Sequence, residues 1–263
     1  MLLIQDLIPN EVLPRLPAFF WTFVRISALL VAAPLFGART VPVRVRVMLA
    51  VLLALAVFPQ VTVPSDVAVV SGAGALLLIR EAVIGFALGF LVQMLFGAVA
   101  TAGEVIALSM GLAFASVVDP DRGVSVPVIG QYFVVMSTLL FLALNGHLAL
   151  LALLIESFGL LPPGAGGLNA AGFWELAAWG GRMFEAAIMV ALPAATALLV
   201  AGVSMGLIAR SAPQLNIFAV GFPMTLMLGI VALLFSLPLL APQFEQLLAG
   251  VLGTGRSLMV AFR

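Results

Sequence analysis

Long apolar segments alternate with short polar turns along the chain, and this pattern predicts helices of membrane length. A helix needs about 20 mostly apolar residues to cross a bilayer. Six segments match this description: Pro17–Phe36, Val47–Val63, Leu76–Ala102, Val126–Ser157, Leu176–Ile208 and Leu215–Leu240. A backbone in lipid must satisfy its hydrogen bonds internally, so all six are predicted to be helical. The predicted fold class is therefore all-α, a polytopic membrane protein built from helical hairpins.

Several of these segments are longer than one straight crossing requires, and some contain proline. Pro193, Pro223 and Pro238 lie inside the last two segments. Because proline removes a helical hydrogen bond and clashes with the preceding turn, we expect these positions to kink or divide the helices.

The turns between the segments differ in charge, and the difference predicts an orientation. The turn after the first segment contains Arg39, Arg44 and Arg46, and the turn before the last segment contains Arg210. The turns at residues 59–66 and 162–172 contain no basic residue. Since basic turns tend to stay on the cytoplasmic side, the arginine turns are predicted to face the cytoplasm and the other two to face outward.

The composition supports a membrane protein and excludes several other classes. Hydrophobic residues make up 64% of the 263 residues and charged residues only 8%, with a mean hydropathy of +1.29. A soluble domain carries roughly 25% charged residues, so this chain cannot solvate a globular surface. The 11 basic residues balance the 11 acidic ones without forming a basic block, so nucleic acid is not a predicted partner.

The sequence contains no motif of a catalytic, cofactor-binding or metal-binding site. The chain has no cysteine and one histidine, which excludes disulfides and thiolate metal sites. It also lacks the HExxH, GxSxG and P-loop spacings, so we predict no enzyme activity, no cofactor and no metal site.

Glycines recur at helical spacing and predict close helix packing. Gly85, Gly89 and Gly97 are separated by multiples of four, so they share one face of a helix. Gly202 and Gly206 form a second such pair. Small residues allow helices to approach closely in membranes, and the first set predicts a tight helix contact.

Several ionisable residues lie inside the apolar segments, where a charge costs roughly 2.5–3.5 kcal/mol unless it is paired or hydrated. Arg25 lies in the first segment. The residues that we expect to take part in buried charge pairing are Arg80, Glu81, Glu104, His147, Arg182 and Glu185. Arg182 and Glu185 are three residues apart and can pair on one helix face. The others pair with one another or with partner subunits.

A proton or ion relay is the alternative interpretation of these charges. It would use His147, Glu156, Glu81 and Glu104. A relay needs several carboxylates around a hydrated path, whereas these acids are scattered along the chain. The pairing interpretation is therefore favoured.

The stretch GLAFASVVDPDRGVSVP, Gly111–Pro127, interrupts the apolar pattern with a charged turn. The glycine and alanine around Phe114 permit a flexible turn, and Asp119 and Asp121 suit its end because their side chains can bind backbone amides. From the residues alone, this stretch is typical of a connector between helices with a hydrophobic anchor.

Five stretches together resemble the FliR family, core membrane subunits of the flagellar type III export apparatus. They are RISALLVAAPLFGARTVPVRVRVMLA, REAVIGFALGFLV, AGEVIALSMGLAFASVVDP, NGHLALLALLIESFGLLPPG and GLIARSAPQLNIFAVGFPM, and they occur in order across nearly the whole chain. The injectisome branch of type III secretion has a similar subunit and is the alternative. A small-solute or ion transporter is a further alternative, although the chain shows no repeated halves.

The resemblance implies an export gate subunit in the bacterial inner membrane, at the flagellar basal body. Its implied partners are FliP and FliQ in a helical channel complex, FlhB and FlhA, unfolded flagellar proteins as the exported cargo, and membrane lipid. The family's architecture implies a FliP-like portion at residues 1–175 and a FliQ-like hairpin with a tail at residues 176–263. Protein neighbours would cover part of the apolar surface in such a complex.

The resemblance also implies roles for two short segments. The segment that matches residues 110–123 resembles a plug that projects into the pore, with Met110, Gly111, Phe114, Val117 and Val118 as the predicted plug residues. A hydrophobic constriction of this kind excludes ions by dewetting. The tip of the FliQ-like hairpin is predicted to contact FlhB at the cytoplasmic entrance through Arg210, Gln214 and Asn216.

Overall fold

The computed structural model describes residues 16–63, 71–112, 128–166, 168–211 and 217–263. These residues form seven α-helices and contain no β-strand. The helices are α1 (Leu16–Ala32), α2 (Val43–Val57), α3 (Gly72–Ser109), α4 (Val128–Ala143), α5 (Gly146–Leu160), α6 (Ala170–Ser211) and α7 (Ile217–Ala261). A single 3₁₀ turn, Phe58–Gln60, extends α2.

Four of these helical stretches are long and apolar enough to cross a membrane. They are Val43–Gln60, Gly72–Ser109, Ala170–Ser211 and Gly221–Ala261, and the successive helices α4 and α5 provide a fifth candidate if they count as one broken span. The all-α, polytopic membrane fold class is confirmed. The first predicted segment is shorter than expected, because α1 has only 17 residues and ends at Ala32.

The predicted segment Val126–Ser157 is not one helix in its described part. Helix α4 ends at Ala143, and Asn145 adopts a left-handed conformation with φ 55° before α5 begins at Gly146. Asparagine tolerates this conformation because its short polar side chain can bond locally. The backbone of Asn145 also starts the next helix, since its carbonyl accepts the amide protons of Leu148 and Ala149.

The prolines do not divide the last two helices. Helix α6 continues through Pro193, and α7 continues through Pro223, Pro238 and also Pro242. Each proline removes one backbone donor, and the remaining hydrogen bonds of a helix in an apolar setting are costly to give up. The helix therefore persists, so division at these residues is wrong, whereas a kink at them stays a prediction.

The described helices belong to two compact units built from separate parts of the chain. Of the described residues, the first unit comprises 16–63, 71–94, 145–166, 168–179 and 250–263, and the second comprises 95–112, 128–144, 180–211 and 217–249. Helices α3, α6 and α7 each contribute one part to each unit.

Within the first unit, two glycines of α3 let α1 approach its backbone. A Cβ atom at Gly89 would lie 2.8 Å from the carbonyl oxygen of Leu29 and 2.6 Å from the Cβ of Ala32, and a Cβ atom at Gly85 would collide with the carbonyl of Arg25. Real side chains do not reach such distances, so only glycine fits. The predicted close packing is confirmed at these two positions.

The other glycines of the sequence pattern have different surroundings. In the second unit, a Cβ atom at Gly97 would lie 3.2 Å from the sulfur of Met183. At Gly202 and Gly206 on α6, a Cβ atom would meet no neighbouring atom of the described residues within 4 Å.

The packing of α1 on α3 predicts the effect of an added methyl group. Gly89→Ala should lower the free energy of unfolding by about 1–3 kcal/mol, the usual cost of overpacking, because α1 must move away from α3. Thermal unfolding of the detergent-solubilised chain measures the loss. The matched control is Gly202→Ala, which should be neutral or stabilising by up to about 1 kcal/mol, since alanine favours helix and the site is open. Equal stability of the two variants would contradict the packing.

Candidate functional site

The first residues of the predicted plug lie at the end of helix α3. The amide of Leu112 donates to the carbonyl of Ala107 at 3.1 Å, and the amide of Gly111 donates to the carbonyl of Leu108 at 3.0 Å. Gly111 has a φ of 81°. These three features form a Schellman motif, which ends a helix at a glycine in the left-handed conformation. Glycine is needed here because a side chain would strain that conformation.

Met110 fixes this helix end to α7 within the second unit. Its side chain is 2% exposed and lies against Gly229, where a Cβ atom would come within 2.7 Å of the Met110 sulfur. The hydroxyl of Thr225 lies 3.2 Å from the Met110 carbonyl oxygen and 3.0 Å from that of Phe222, so these two acceptors share its one proton. We call Met110, Gly111, Thr225 and Gly229 the Met110 anchor. It gives the start of the predicted plug a fixed position on α7.

The remaining predicted plug residues, Phe114, Val117 and Val118, lie outside the described residues. Of the predicted plug residues, the structure describes only Met110 and Gly111, at the beginning of that segment.

The predicted hairpin tip is described in part. Arg210 is exposed in the last turn of α6. A cation there is favourable because the C-terminal end of a helix carries partial negative charge. Gln214 and Asn216 lie outside the described residues.

A fully buried ion pair lies in the first unit. The Arg25 Nε atom of α1 is 2.6 Å from the Glu81 Oε2 atom of α3, and both side chains have no exposed surface. The guanidinium also donates to the carbonyl and hydroxyl oxygens of Ser157 at 3.0 and 3.1 Å, and to the carbonyl of Leu161 at 2.8 Å. We call Arg25, Glu81, Ser157 and Leu161 the buried arginine network.

The buried arginine network joins three helices through one side chain. Ser157 lies in the last turn of α5 and Leu161 follows that helix, so Arg25 brings a positive charge to the negative end of α5. The Phe158 ring adds a cation–π contact, with its centre 4.3 Å from the guanidinium carbon. The planar fork of arginine suits this set of acceptors, which a lysine ammonium could not reach together.

Arg80, next to Glu81 on α3, binds the segment that follows α5. Its guanidinium donates to the carbonyl of Gly166 at 2.6 Å and to the carbonyl of Ala165. Arg80 thus holds the turn after α5, while its neighbour Glu81 binds the arginine that holds the end of α5.

The other residues predicted for charge pairing have separate surroundings. Glu104 is exposed on α3 and His147 is half-buried near the start of α5. Arg182 and Glu185 are exposed on α6 and form no ion pair with each other. Glu156 pairs with Arg256, at 3.0 Å, on the surface of the first unit.

Sequence reasoning missed the partners that complete these interactions. Arg25 was expected to be costly in lipid, but Ser157 and Leu161 carry no charge and lie more than 130 residues away. The hydrogen bond from Trp179 Nε1 to Thr254 Oγ1, at 3.1 Å, was missed for the same reason. Only the serine in the apolar run of α5 offered a signal, and serine in such helices usually bonds its own backbone.

The sequence of this chain matches a known family of bacterial proteins. A family model described as bacterial export proteins, family 1, matches residues 16–251. Over 233 residues the chain is 42% identical to the flagellar biosynthetic protein FliR of Escherichia coli (strain K12), a match that covers 89% of each chain. The chain belongs to the FliR family of bacterial export proteins.

Other FliR proteins match over similar lengths. The flagellar biosynthetic protein FliR of Pectobacterium carotovorum is 43% identical over 233 residues, which is 89% of each chain. That of Bacillus subtilis (strain 168) is 32% identical over 255 residues, which is 95% of this chain and 97% of the relative. Together with the apolar helices, this membership makes the chain an integral membrane component of the flagellar export apparatus.

The buried arginine network predicts a large effect for loss of one charge in this FliR-family chain. Arg25→Met should lower the free energy of unfolding by about 3–5 kcal/mol, because it leaves the Glu81 carboxylate buried without its cation. Replacing both residues, Arg25→Met with Glu81→Met, should restore part of the loss, although the carbonyl of Leu161 loses its arginine donor and that of Ser157 keeps only the backbone amide of Leu161.

Thermal unfolding of the detergent-solubilised variants measures these differences. The matched control is Arg256→Met, which breaks an ion pair whose side chains are 58% and 41% exposed and should cost at most about 1 kcal/mol. A loss at Arg25 as small as that at Arg256 would show that the buried pair does not hold the unit together.

Proposed function

We propose that this chain is a core channel subunit of the flagellar type III export gate, located in the bacterial inner membrane at the flagellar basal body. In this role it assembles with FliP and FliQ and helps to pass unfolded flagellar proteins across the membrane. The observation that carries the proposal is the FliR-family match over residues 16–251, which includes the described residues of the second unit completely and most of those of the first. The role needs no catalysis and no cofactor.

Exposed apolar side chains support assembly with partners. Trp174 on α6 and Phe235 on α7 are each 77% exposed, and Leu199, Val200 and Met227 are between 66% and 69% exposed. Patches of this kind mark surfaces that lipid or protein must cover. Neighbouring FliP and FliQ subunits would cover them in the channel complex, and FlhB and FlhA would join at its cytoplasmic side.

The division into a FliP-like portion, residues 1–175, and a FliQ-like hairpin with a tail, residues 176–263, remains a prediction. Helices α6 and α7 flank residues 212–216, and side chains from both helices, among them Leu198 and Val231, line a common apolar groove. Two long helices on either side of a short connection are what a hairpin requires.

The plug is the second part of the proposal. Residues 110–123 would close the pore when no cargo passes, with the apolar side chains of Phe114, Val117 and Val118 excluding water and ions. The Met110 anchor supports this role because it fixes the beginning of the segment to α7. A plug needs such a fixed base, so that passing cargo displaces the loop without detaching it from the channel wall.

Removal of the apolar plug side chains should make the closed channel leak. Replacing residues 114–118 with glycine and alanine should raise ion flux into vesicles that contain the reconstituted complex, because a wider and less apolar gap rewets. FliP and FliQ should co-purify with the variant as they do with the natural chain. Phe20→Ala, which truncates a phenylalanine that is 45% exposed on α1, is the control and should leave the flux at background. If the variant still assembles with FliP and FliQ and its flux stays at background, the plug is excluded.

The hairpin tip should lie beside FlhB. A photo-crosslinking residue at Gln214 should capture FlhB in cells that express the complete apparatus. The same probe at Leu199, which is 67% exposed on the flank of α6, should not. Adducts with lipid alone at Gln214 would contradict the proposed contact.

Purification in mild detergent tests the assembly as a whole. The tagged chain should carry FliP and FliQ in fixed ratios, identified by mass spectrometry of a single sized peak. A stable monomer or homodimer without them would contradict the export gate role and favour a transporter.

A further inference from the structure

Helix α2 leaves most of its surface uncovered within the first unit. Ala50, Ala54 and Val57 are its buried residues, and they lie on one face at spacings of four and three. Six other aliphatic residues of the helix are between 46% and 68% exposed: Val43, Val45, Val47, Met48, Leu52 and Leu55. The helix with its 3₁₀ extension, Val43–Gln60, has the length of a membrane span. Its outer surface is therefore a long aliphatic strip.

Three arginines lie at one end of this strip, Arg39 in the turn from α1 to α2 and Arg44 and Arg46 in the first turn of α2. Arg46 points into the turn, where its Nε atom donates to the carbonyl of Phe36 at 3.0 Å, and its Nη2 atom lies 3.4 Å from the carbonyl of Ala38. Arg46 thus holds the turn in shape. Arg39 and Arg44 are exposed, and neither has a hydrogen bond or ion pair in the part of the chain that the structure describes.

No carboxylate near in sequence offsets these charges. Residues 12–65 contain five arginines and neither aspartate nor glutamate. Two free guanidinium groups therefore adjoin an aliphatic surface of membrane length. A phospholipid with an anionic headgroup has the matching chemistry, since its phosphate binds arginine and its acyl chains cover aliphatic side chains.

We propose that Arg39 and Arg44 bind the headgroup of an anionic phospholipid, whose acyl chains lie along the outer face of α2. The aliphatic strip favours lipid over a polar, acidic protein segment, because the carboxylates of such a segment would bind the arginines and leave the strip uncovered. Arginine forks phosphate oxygens better than lysine does, which suits a site built from two exposed side chains. The proposal does not depend on the plug or on the partners of the export gate.

Lipid retention measures the site directly. The full chain is placed in nanodiscs of mixed phosphatidylglycerol and phosphatidylcholine, released in the mass spectrometer, and the lipids that remain bound are counted. The natural chain should retain phosphatidylglycerol preferentially. The double substitution Arg39→Gln with Arg44→Gln should reduce that preference by about 30-fold, since each arginine near an anionic surface contributes roughly a factor of five.

Control variants distinguish a specific phospholipid site from general attraction between arginine and anionic lipid, and from unfolding of the variant. Arg263→Gln, which removes an exposed arginine at the end of the chain, should leave the preference unchanged. Arg39→Lys with Arg44→Lys should retain part of it, because the charge remains. All variants should unfold at the temperature of the natural chain, as the two arginines are exposed and form no hydrogen bond or ion pair with the described residues. Equal retention of the two lipids by the natural chain would overturn the proposal, and so would an unchanged preference in the glutamine variant.

A crosslink in cells identifies the occupant. A photo-crosslinking residue at Met48, which is 64% exposed on the strip, should form adducts with lipid. Capture of a polypeptide there would overturn the proposal and assign the strip to a protein neighbour. Displacement of the retained phospholipid by inorganic phosphate alone would also count against it, because the strip would then contribute nothing.

Discussion

The ion pair between Arg25 and Glu81 is the interaction on which the first unit depends. It is fully buried, and it is surrounded by apolar helices in which an unpaired charge would be expensive. A buried pair need not stabilise a protein relative to apolar side chains, but a pair that has lost one member destabilises it strongly. Because Arg25 also binds the last turn of α5, the same side chain fixes which three helices come together and where α5 ends.

The geometry of this pair requires the glycines of α3. Arginine has a long side chain, yet the Nε atom that binds Glu81 is the donor nearest the backbone, so α1 and α3 must lie close together. Gly85 and Gly89 provide that approach by placing no side chain between the helices. In the second unit, Gly229 plays a comparable part, since it makes room for Met110 on α7. The close packing at the glycines is thus what allows the polar side chains to bond.

The helical class, the apolar segments and the family could all be predicted from the sequence, because membrane length and ordered motifs are local properties. The limits of the helices were less predictable. Pro193 and Pro223 are strong breakers in water but lie inside continuous helices, whereas the break at Asn145 depends on one left-handed residue. The carbonyl partners of Arg25 could not be predicted, because every residue has a backbone carbonyl and the sequence does not show which ones accept. Of the candidate site, Met110 and Gly111 could be named from the resemblance, but their attachment to Thr225 and Gly229 could not.

The distance along the chain between Arg25 and its carbonyl acceptors has a consequence for synthesis. Arg25 leaves the ribosome 132 residues before Ser157, and at about 5–20 residues per second this interval is roughly 7–26 s. During that time α1 can enter the bilayer, while the acceptors that complete the coordination of its arginine do not yet exist. Glu81 arrives earlier and can neutralise the charge, but the end of α5 is the last part to arrive. The guanidinium of the nascent chain must therefore stay partly unsatisfied until more than half of the protein has been made. During this time it lies near the membrane surface or is bound by the insertion machinery.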